Sequence, residues 1–368
     1  MALFKRKAPI AKPGADAVIA EPAPSSSPIG KRPICLALQG GGAHGAFQWG
    51  ILDRLLEDDR LDIRAVTAAS AGAMNAAALV SGLATGGRDG ARATLDKLWR
   101  ETNQSGGRNL FGDSSIWANA MTPSWLTGST AWRSMETLAG SMSPYEFNPL
   151  NLNPLNRVLQ ATIDFEAVRA SDVKLFVAAT AVRHAKARIF TTTEITEQVL
   201  LASGCLPHLF QAVEIDGEPY WDGGYLANPP LWPLFYADTP DDILLMTLNP
   251  FERAEAPRAA GDIMDRLNEV VFNAPLAAEL RAIAFVQDLI EHGELAPSAR
   301  GKYRHILMHA IDADGWLGEQ TLGSKANTEW TYLNDLKARG RAAADEWLNS
   351  CLGQVGVSSS VDLQARFI

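Results

Sequence analysis

The sequence predicts an α/β protein whose parallel or mixed sheet is covered by helices on both faces. Two observations predict it. Short apolar runs recur at Ile34 to Leu38, Ala65 to Ala69, Leu175 to Thr180, Ile243 to Leu248 and Tyr303 to Ala310, and they read as buried strands separated by expected helices. At the first two of these, a cluster of small or glycine residues links the strand directly to a helical pattern.

The elements follow in order. Met1 to Pro33 is rich in Pro, Ala and Ser and lacks apolar periodicity, so it cannot repay the entropy of ordering and is expected as a flexible tail. Its basic start, Lys5, Arg6 and Lys7, is not followed by the apolar core of a secretory signal. Ile34 to Leu38 is closed by Gly40, Gly41 and Gly42, and Ala46 to Glu57 reads as a helix with Leu52, Leu55 and Leu56 inward. The unit repeats: Ala65 to Ala69 is a strand, Ser70 to Gly72 a sharp turn, and Ala73 to Val80 a small-residue helix that Gly82 is expected to end. From Trp99 to Leu155 the pattern changes. Trp99, Trp117, Trp125 and Trp132 are scattered among Gly, Ser, Asn and Pro, as in an irregular packed insertion or, on a sharper reading, an aromatic cap over an apolar site. Leu276, Leu280, Ile283, Val286 and Ile290 form one helical stripe and Leu333, Leu336, Ala343 and Trp347 another, both suited to core packing. The chain thus divides into a tail at 1–33, a main domain at 34–250 with its insertion at about 99–155, and a helical part at 251–368 packed on it.

Composition narrows the function. With 368 residues, 47% hydrophobic and 20% charged, the chain suits an ordinary soluble globular protein. A formal charge of −9 without a concentrated basic face argues against nucleic acid as a partner. No run is apolar enough to span a bilayer. Cys35, Cys205 and Cys351 are too few and too far apart for a disulfide framework or a zinc site, so a reducing, cytoplasmic setting is expected, with peripheral membrane contact still open. Oligomeric state is not legible.

Three motifs carry chemistry. Ala68-Ala69-Ser70-Ala71-Gly72, between strand and helix, has the form of a nucleophile elbow, in which a tight turn pushes a serine hydroxyl out of the sheet. Gly40-Gly41-Gly42-Ala43-His44-Gly45 can turn backbone N–H groups toward an anion at a helix start. No Gly-Lys-Ser/Thr follows and the dinucleotide spacing is absent, so an oxyanion hole fits better than a nucleotide site. Trp221-Asp222-Gly223-Gly224, taken alone, is an ordinary Asp-Gly turn.

Their order and surroundings resemble the patatin-like acyl hydrolases, a family of phospholipases and related lipid esterases. The resemblance extends to Leu36-Ala37-Leu38-Gln39, to Ala202-Ser203-Gly204-Cys205-Leu206-Pro207 and to Tyr220 through Pro230, and it covers roughly Pro33 to Pro250. It implies a three-layer α/β/α fold with a central, mostly parallel sheet, lipid as substrate, no metal or cofactor, and a Ser-Asp dyad without histidine. Ser70 matches the nucleophile, Asp222 its base and the backbone of Gly40, Gly41 and Gly42 the oxyanion hole, supported by His44, Gly45, Gly72, Gly223 and Gly224. The sequence departs from the family at Ala68, usually glycine, and at His44, usually Arg or Lys. A charge at His44 would depend on pH near the ordinary histidine pKa.

Phospholipid or lysophospholipid deacylation is the expected activity, with intracellular polyester or neutral acylglycerol as the alternative substrate. The rival mechanism is a triad in the chain order Ser, Asp, His, completed by His305 or His309. A rival of another class is a non-catalytic lipid-binding protein on the same fold. Trp117 and Trp125 are the expected substrate-contacting residues of the insertion.

Overall fold

The computed structural model describes residues 30–106, 143–299, 302–313, 317 and 322–367; Trp117, Trp125 and Trp132 lie outside them. Strand β1 (Arg32–Leu38) leads through the glycine loop into α1 (Gly45–Glu57), and β2 (Leu61–Ala69) leads through Ser70 into α2 (Ala71–Gly106). Then come α3 (Pro154–Thr162), β3 (Lys174–Ala181), β4 (Lys186–Thr191), α4 (Glu197–Ser203), β5 (Val213–Ile215) and β6 (Glu218–Asp222). The chain continues through β7 (Asp242–Met246), α5 (Ala260–Glu291), β8 (Leu307–Ile311) and α6 (Trp330–Ser350).

The described residues form an eight-stranded sheet in the order β5-β6-β3-β2-β1-β7-β8, with β4 also paired to β3. The pairs β3–β2, β2–β1, β1–β7 and β7–β8 are parallel, whereas β4, β5 and β6 join by antiparallel pairs. Alternation within β1 shows why both faces need cover. Ile34, Leu36 and Leu38 enter one apolar core with α1, α2 and α6, while Cys35 and Ala37 enter a second with Leu276, Leu280 and Ile283 of α5. Each such leucine, fully removed from water, contributes roughly 1.5–3 kcal/mol.

Several boundaries differ from expectation: β2 begins earlier, at Leu61, β8 begins later, at Leu307, and three further differences have a clear physical reason. β1 begins at Arg32, before the expected end of the tail at Pro33, because the Arg32 side chain donates to the carbonyls of Leu352, Gly353 and Val355 at 3.0, 3.0 and 2.6 Å. Gly82 does not end its helix. The non-helical residues are Gly86 and Gly87, where α2 breaks, and Gly82 instead permits close approach to the returning segment: a Cβ there would lie 2.4 Å from Ala91 Cα. Trp99 is helical and buried within α2 rather than part of an irregular insertion. Among the described residues no helix is long and apolar enough to cross a membrane.

Candidate active site

Register brings the two key side chains together. Ala69, the last residue of β2, pairs with Ala178 of β3, and Asp222, the last residue of β6, pairs with the next residue, Ala179. Since β4 occupies the other edge of β3 along Phe176 to Ala181, β2 and β6 share one edge and end against each other. Ser70 follows immediately, at the C-terminal end of a parallel strand, where α/β sheets place their sites.

Ser70 has φ of 54°, the left-handed region that a non-glycine residue occupies only when its surroundings hold it there. Its carbonyl accepts from the N–H groups of Ala73 and Met74 at 2.9 and 3.3 Å, and its N–H donates to Ser203 Oγ at 2.9 Å. The hydroxyl therefore stands at the start of α2. Gly72 must be glycine, because a Cβ there would lie 2.3 Å from Leu38 O. Ala68, by contrast, is accommodated, fully buried in the core.

Ser70 Oγ donates to Asp222 Oδ2 at 2.7 Å, and the second carboxylate oxygen accepts from Gly224 N–H at 2.7 Å. Asp222 N–H donates to Cys205 O at 2.8 Å and its carbonyl accepts from Thr180 Oγ1 at 2.8 Å, so the residue is held on every side. Burial pushes the carboxyl up to about 7; the hydrogen bonds from Ser70 and Gly224 and the Lys325 charge only partly oppose it. The result is a base with affinity for a proton near neutral pH. Burial pushes the thiol of neighbouring Cys205 up to about 12, which disfavours the thiolate.

The glycine loop is set by an amide network. Gln39 Oε1 accepts from the N–H groups of Leu248 and Asn249 at 2.6 and 2.8 Å, its Nε2 donates to Asn273 Oδ1 at 2.9 Å, and Asn249 Nδ2 donates to Gly40 O at 2.9 Å. Gly40 N–H donates to Asn228 Oδ1 at 2.7 Å. That bond corrects the sequence reading, since it removes Gly40 from the free donors. Gly41 and Gly42 line the cavity at Ser70, and as the first turn of a 3-10 segment their N–H groups need no intrahelical acceptor. Gly42 has φ of +61°. Gly45 opens α1, its carbonyl accepting from Asn75 Nδ2 at 2.8 Å, and Gly223 and Gly224 form the turn under Asp222.

His44 does not supply a pH-dependent charge. It is buried, its Nε2 lies 2.7 Å from Ser324 Oγ, and burial, followed by the Lys325 ammonium, lowers its pKa to about 3. The cation near the loop is Lys325, which no sequence pattern marks. Its Nζ donates to Asn249 Oδ1 at 2.6 Å and Asn268 Oδ1 at 3.4 Å, and it lines the same cavity.

The triad rival has no geometric support. Both ring nitrogens of His309 are taken, by Ser360 Oγ at 2.9 Å and Asp242 Oδ1 at 3.0 Å, and His305 Nε2 meets Glu291 Oε1 at 3.1 Å. Neither contacts Asp222.

Above Ser70 lies a cavity of about 310 Å³, walled by apolar side chains including Met74, Leu98, Trp99, Leu155, Leu209 and Phe210. Such a space suits an acyl chain. A family model for patatin-like phospholipase matches residues 36–235, more than half of the chain. The chain belongs to the patatin-like phospholipase family. Membership of that family makes it a lipid ester hydrolase. Among the solved structures similar to it are VipD and ExoU. VipD from Legionella pneumophila is 17% identical with a TM-score of 0.39, over 88% of this chain and 68% of that one. ExoU in its heterodimeric complex with SpcU, from the type III secretion system of Pseudomonas aeruginosa, is 17% identical with a TM-score of 0.33, over 87% of this chain and 53% of that one. The chain thus spans about half the length of the ExoU chain. No curated protein matches the sequence.

Proposed function

We propose that this chain deacylates phospholipid or lysophospholipid through an acyl-enzyme, with Ser70 as nucleophile and Asp222 as its base. The observation that carries the reading is the 2.7 Å hydrogen bond from Ser70 Oγ to a buried carboxylate at the mouth of an apolar cavity. Asp222 Oδ2 accepts the serine proton as Oγ attacks the ester carbonyl. The developing oxyanion is met by the N–H groups of Gly41 and Gly42 and by the positive end of α2. Asp222 then gives its proton to the leaving alcohol, and water releases the acyl group by the reverse sequence. A carboxylate pushed toward neutrality by burial serves both steps better than an ordinary aspartate. A fluorophosphonate probe is expected to label the wild type and not Ser70→Ala. A panel of lipid esters followed by mass spectrometry then ranks the substrates; a wild type that neither labels nor cleaves any of them would exclude the mechanism.

The enzyme is cytoplasmic on this reading and meets lipid peripherally. The N-terminal half of α5 supports that contact, because its amphipathicity is inverted. Ile263, Met264, Leu267, Val270 and Val271 are exposed, whereas Glu269 is buried and bound to Arg253 and Arg266. Asn268 and Phe272 of the same helix line the cavity, so the apolar face continues into the site. An outward apolar helix face next to an acyl cavity is suited to a lipid surface. Leu267→Glu is expected to lower turnover of micellar substrate roughly tenfold more than turnover of a short soluble ester; equal effects on both would remove α5 from the interface.

A further inference from the structure

Lys325 takes no part in the reaction just proposed, yet it lines the same cavity as Ser70, and its Nζ is bound to Asn268, which also lines that cavity. It lies in the 3-10 segment Leu322–Ala326, whose backbone rests on the glycine loop: a Cβ at Gly42 would lie 2.5 Å from Lys325 O and 3.3 Å from Lys325 Cβ. The neighbouring Ser324 Oγ is in contact with His44 Nε2, fixing the segment a second time. Lys325 Nζ is held by two amide oxygens, of Asn249 and Asn268, so the charge is aimed without being neutralised. Among the described residues no carboxylate lies within ion-pair reach of it. Glu269, on the adjoining helix, is already engaged by Arg253 and Arg266.

A buried ammonium without a direct ion-pair partner costs free energy that an anionic ligand would return. A neutral ester offers that charge nothing in its ground state. In a glycerophospholipid, however, a phosphodiester lies only a few covalent bonds from the ester carbonyl, so a carbonyl at Ser70 leaves an anionic oxygen inside the same cavity. We propose that Lys325 is an anion-recognition residue: braced by Asn249 and Asn268 beside Gly41 and Gly42, its ammonium receives the substrate's phosphodiester and favours phosphate-bearing esters over neutral acylglycerols of equal chain length. The inference rests on the ester-hydrolase reading above and deepens it.

The charge is conditional. Burial lowers the ammonium to about 8; Glu269, Asp265 and Asp222 favour its charged form, Arg253 opposes it, and His44 and Tyr225 beside it are neutral there. Preference for the phosphodiester therefore weakens as pH rises through about 8, after Asp222 has already become a base near 7.

The test compares wild type, Lys325→Gln, Lys325→Met and Lys325→Arg in identical detergent micelles. Substrates are dioctanoyl phosphatidylcholine against dioctanoylglycerol, and monooctanoyl lysophosphatidylcholine against monooctanoylglycerol; the two pairs tell a diacyl from a monoacyl source of the phosphate. Removing the charge is expected to lower the phosphodiester-to-neutral ratio of kcat/KM about 10–100-fold in at least one pair, the range of one charge-assisted hydrogen bond, with Arg retaining most of it. The wild-type ratio, which requires no variant to fold, is expected to fall across pH 8 or so. Equal losses on both members of each pair, or a wild type that does not favour the phosphodiester, would each overturn the proposal. Absence of fluorophosphonate labelling in the wild type would instead overturn the hydrolase mechanism, so the two failures are distinguishable.

Discussion

Two corners of this molecule bring a serine hydroxyl and an aspartate into one hydrogen-bonded group, and the one with the more familiar residues is not the proposed site. Ser360, His309 and Asp242 have the membership of a catalytic triad, linked at 2.9 and 3.0 Å. His309 is wholly buried, Asp242 also accepts from Gly356 N–H at 2.7 Å, and Ser360 N–H donates to Met308 O at 3.0 Å. The group fastens the C-terminal turn to β8. Asp242 opens β7 and therefore lies at the N-terminal ends of the parallel strands, opposite Ser70. Ser70 and Asp222 are only two residues, but they sit at strand ends beside backbone donors, a helix start and an acyl-sized cavity. On the proposed mechanism, place in the sheet, more than residue identity, separates a proton-transfer pair from a structural clasp.

The sharpest way to break that contrast is Asp222→Asn. Turnover of a soluble ester is expected to fall by a factor on the order of 10⁴, and the wild-type rise of kcat/KM with pH, centred near 7, disappears in the variant. Stability should move the other way. A carboxyl whose folded pKa is raised from 3.8 to about 7 stabilises the fold at low pH and loses that contribution as pH climbs between those values. The amide stays neutral, so thermal unfolding at pH 8 or so is expected at a higher temperature in Asp222→Asn than in wild type.

His309→Ala is the smaller, complementary case. Removing a buried, doubly hydrogen-bonded ring is expected to cost about 2–4 kcal/mol in denaturant unfolding, while kcat per folded molecule stays within about twofold of wild type. A folded His309→Ala as inactive as Asp222→Asn would reverse the assignment of the two corners.

Much of the candidate site was legible because its parts are local. Apolar β1 and β2, each followed at once by small residues, announce two strand-to-helix turns, and Gly72 is where it is because strand and helix nearly touch. What the sequence hides is non-local. Gly82 reads as a terminator because glycine disfavours helix, yet its lack of a side chain serves helix packing against Ala91. The short antiparallel β5 and β6 carry too few residues for a periodic signal. Gly40 looks equivalent to its two neighbours until Asn228 is brought beside it, and Lys325 lies in a segment with no pattern at all. The apolar stripe of α5 was legible as Leu276, Leu280 and Ile283, but the exposed apolar residues one half-helix earlier carry the same composition with the opposite orientation.

The pairing of Ala69 with Ala178 and of Asp222 with Ala179 has one more consequence. Ser70 and Asp222, the proposed nucleophile and base, are spaced by the ladder of a central strand, not by the reach of flexible loops. On the proposed mechanism, warming that loosens the periphery is expected to leave the pair in reach of each other until β3 itself gives way, so loss of activity and cooperative melting are expected to coincide.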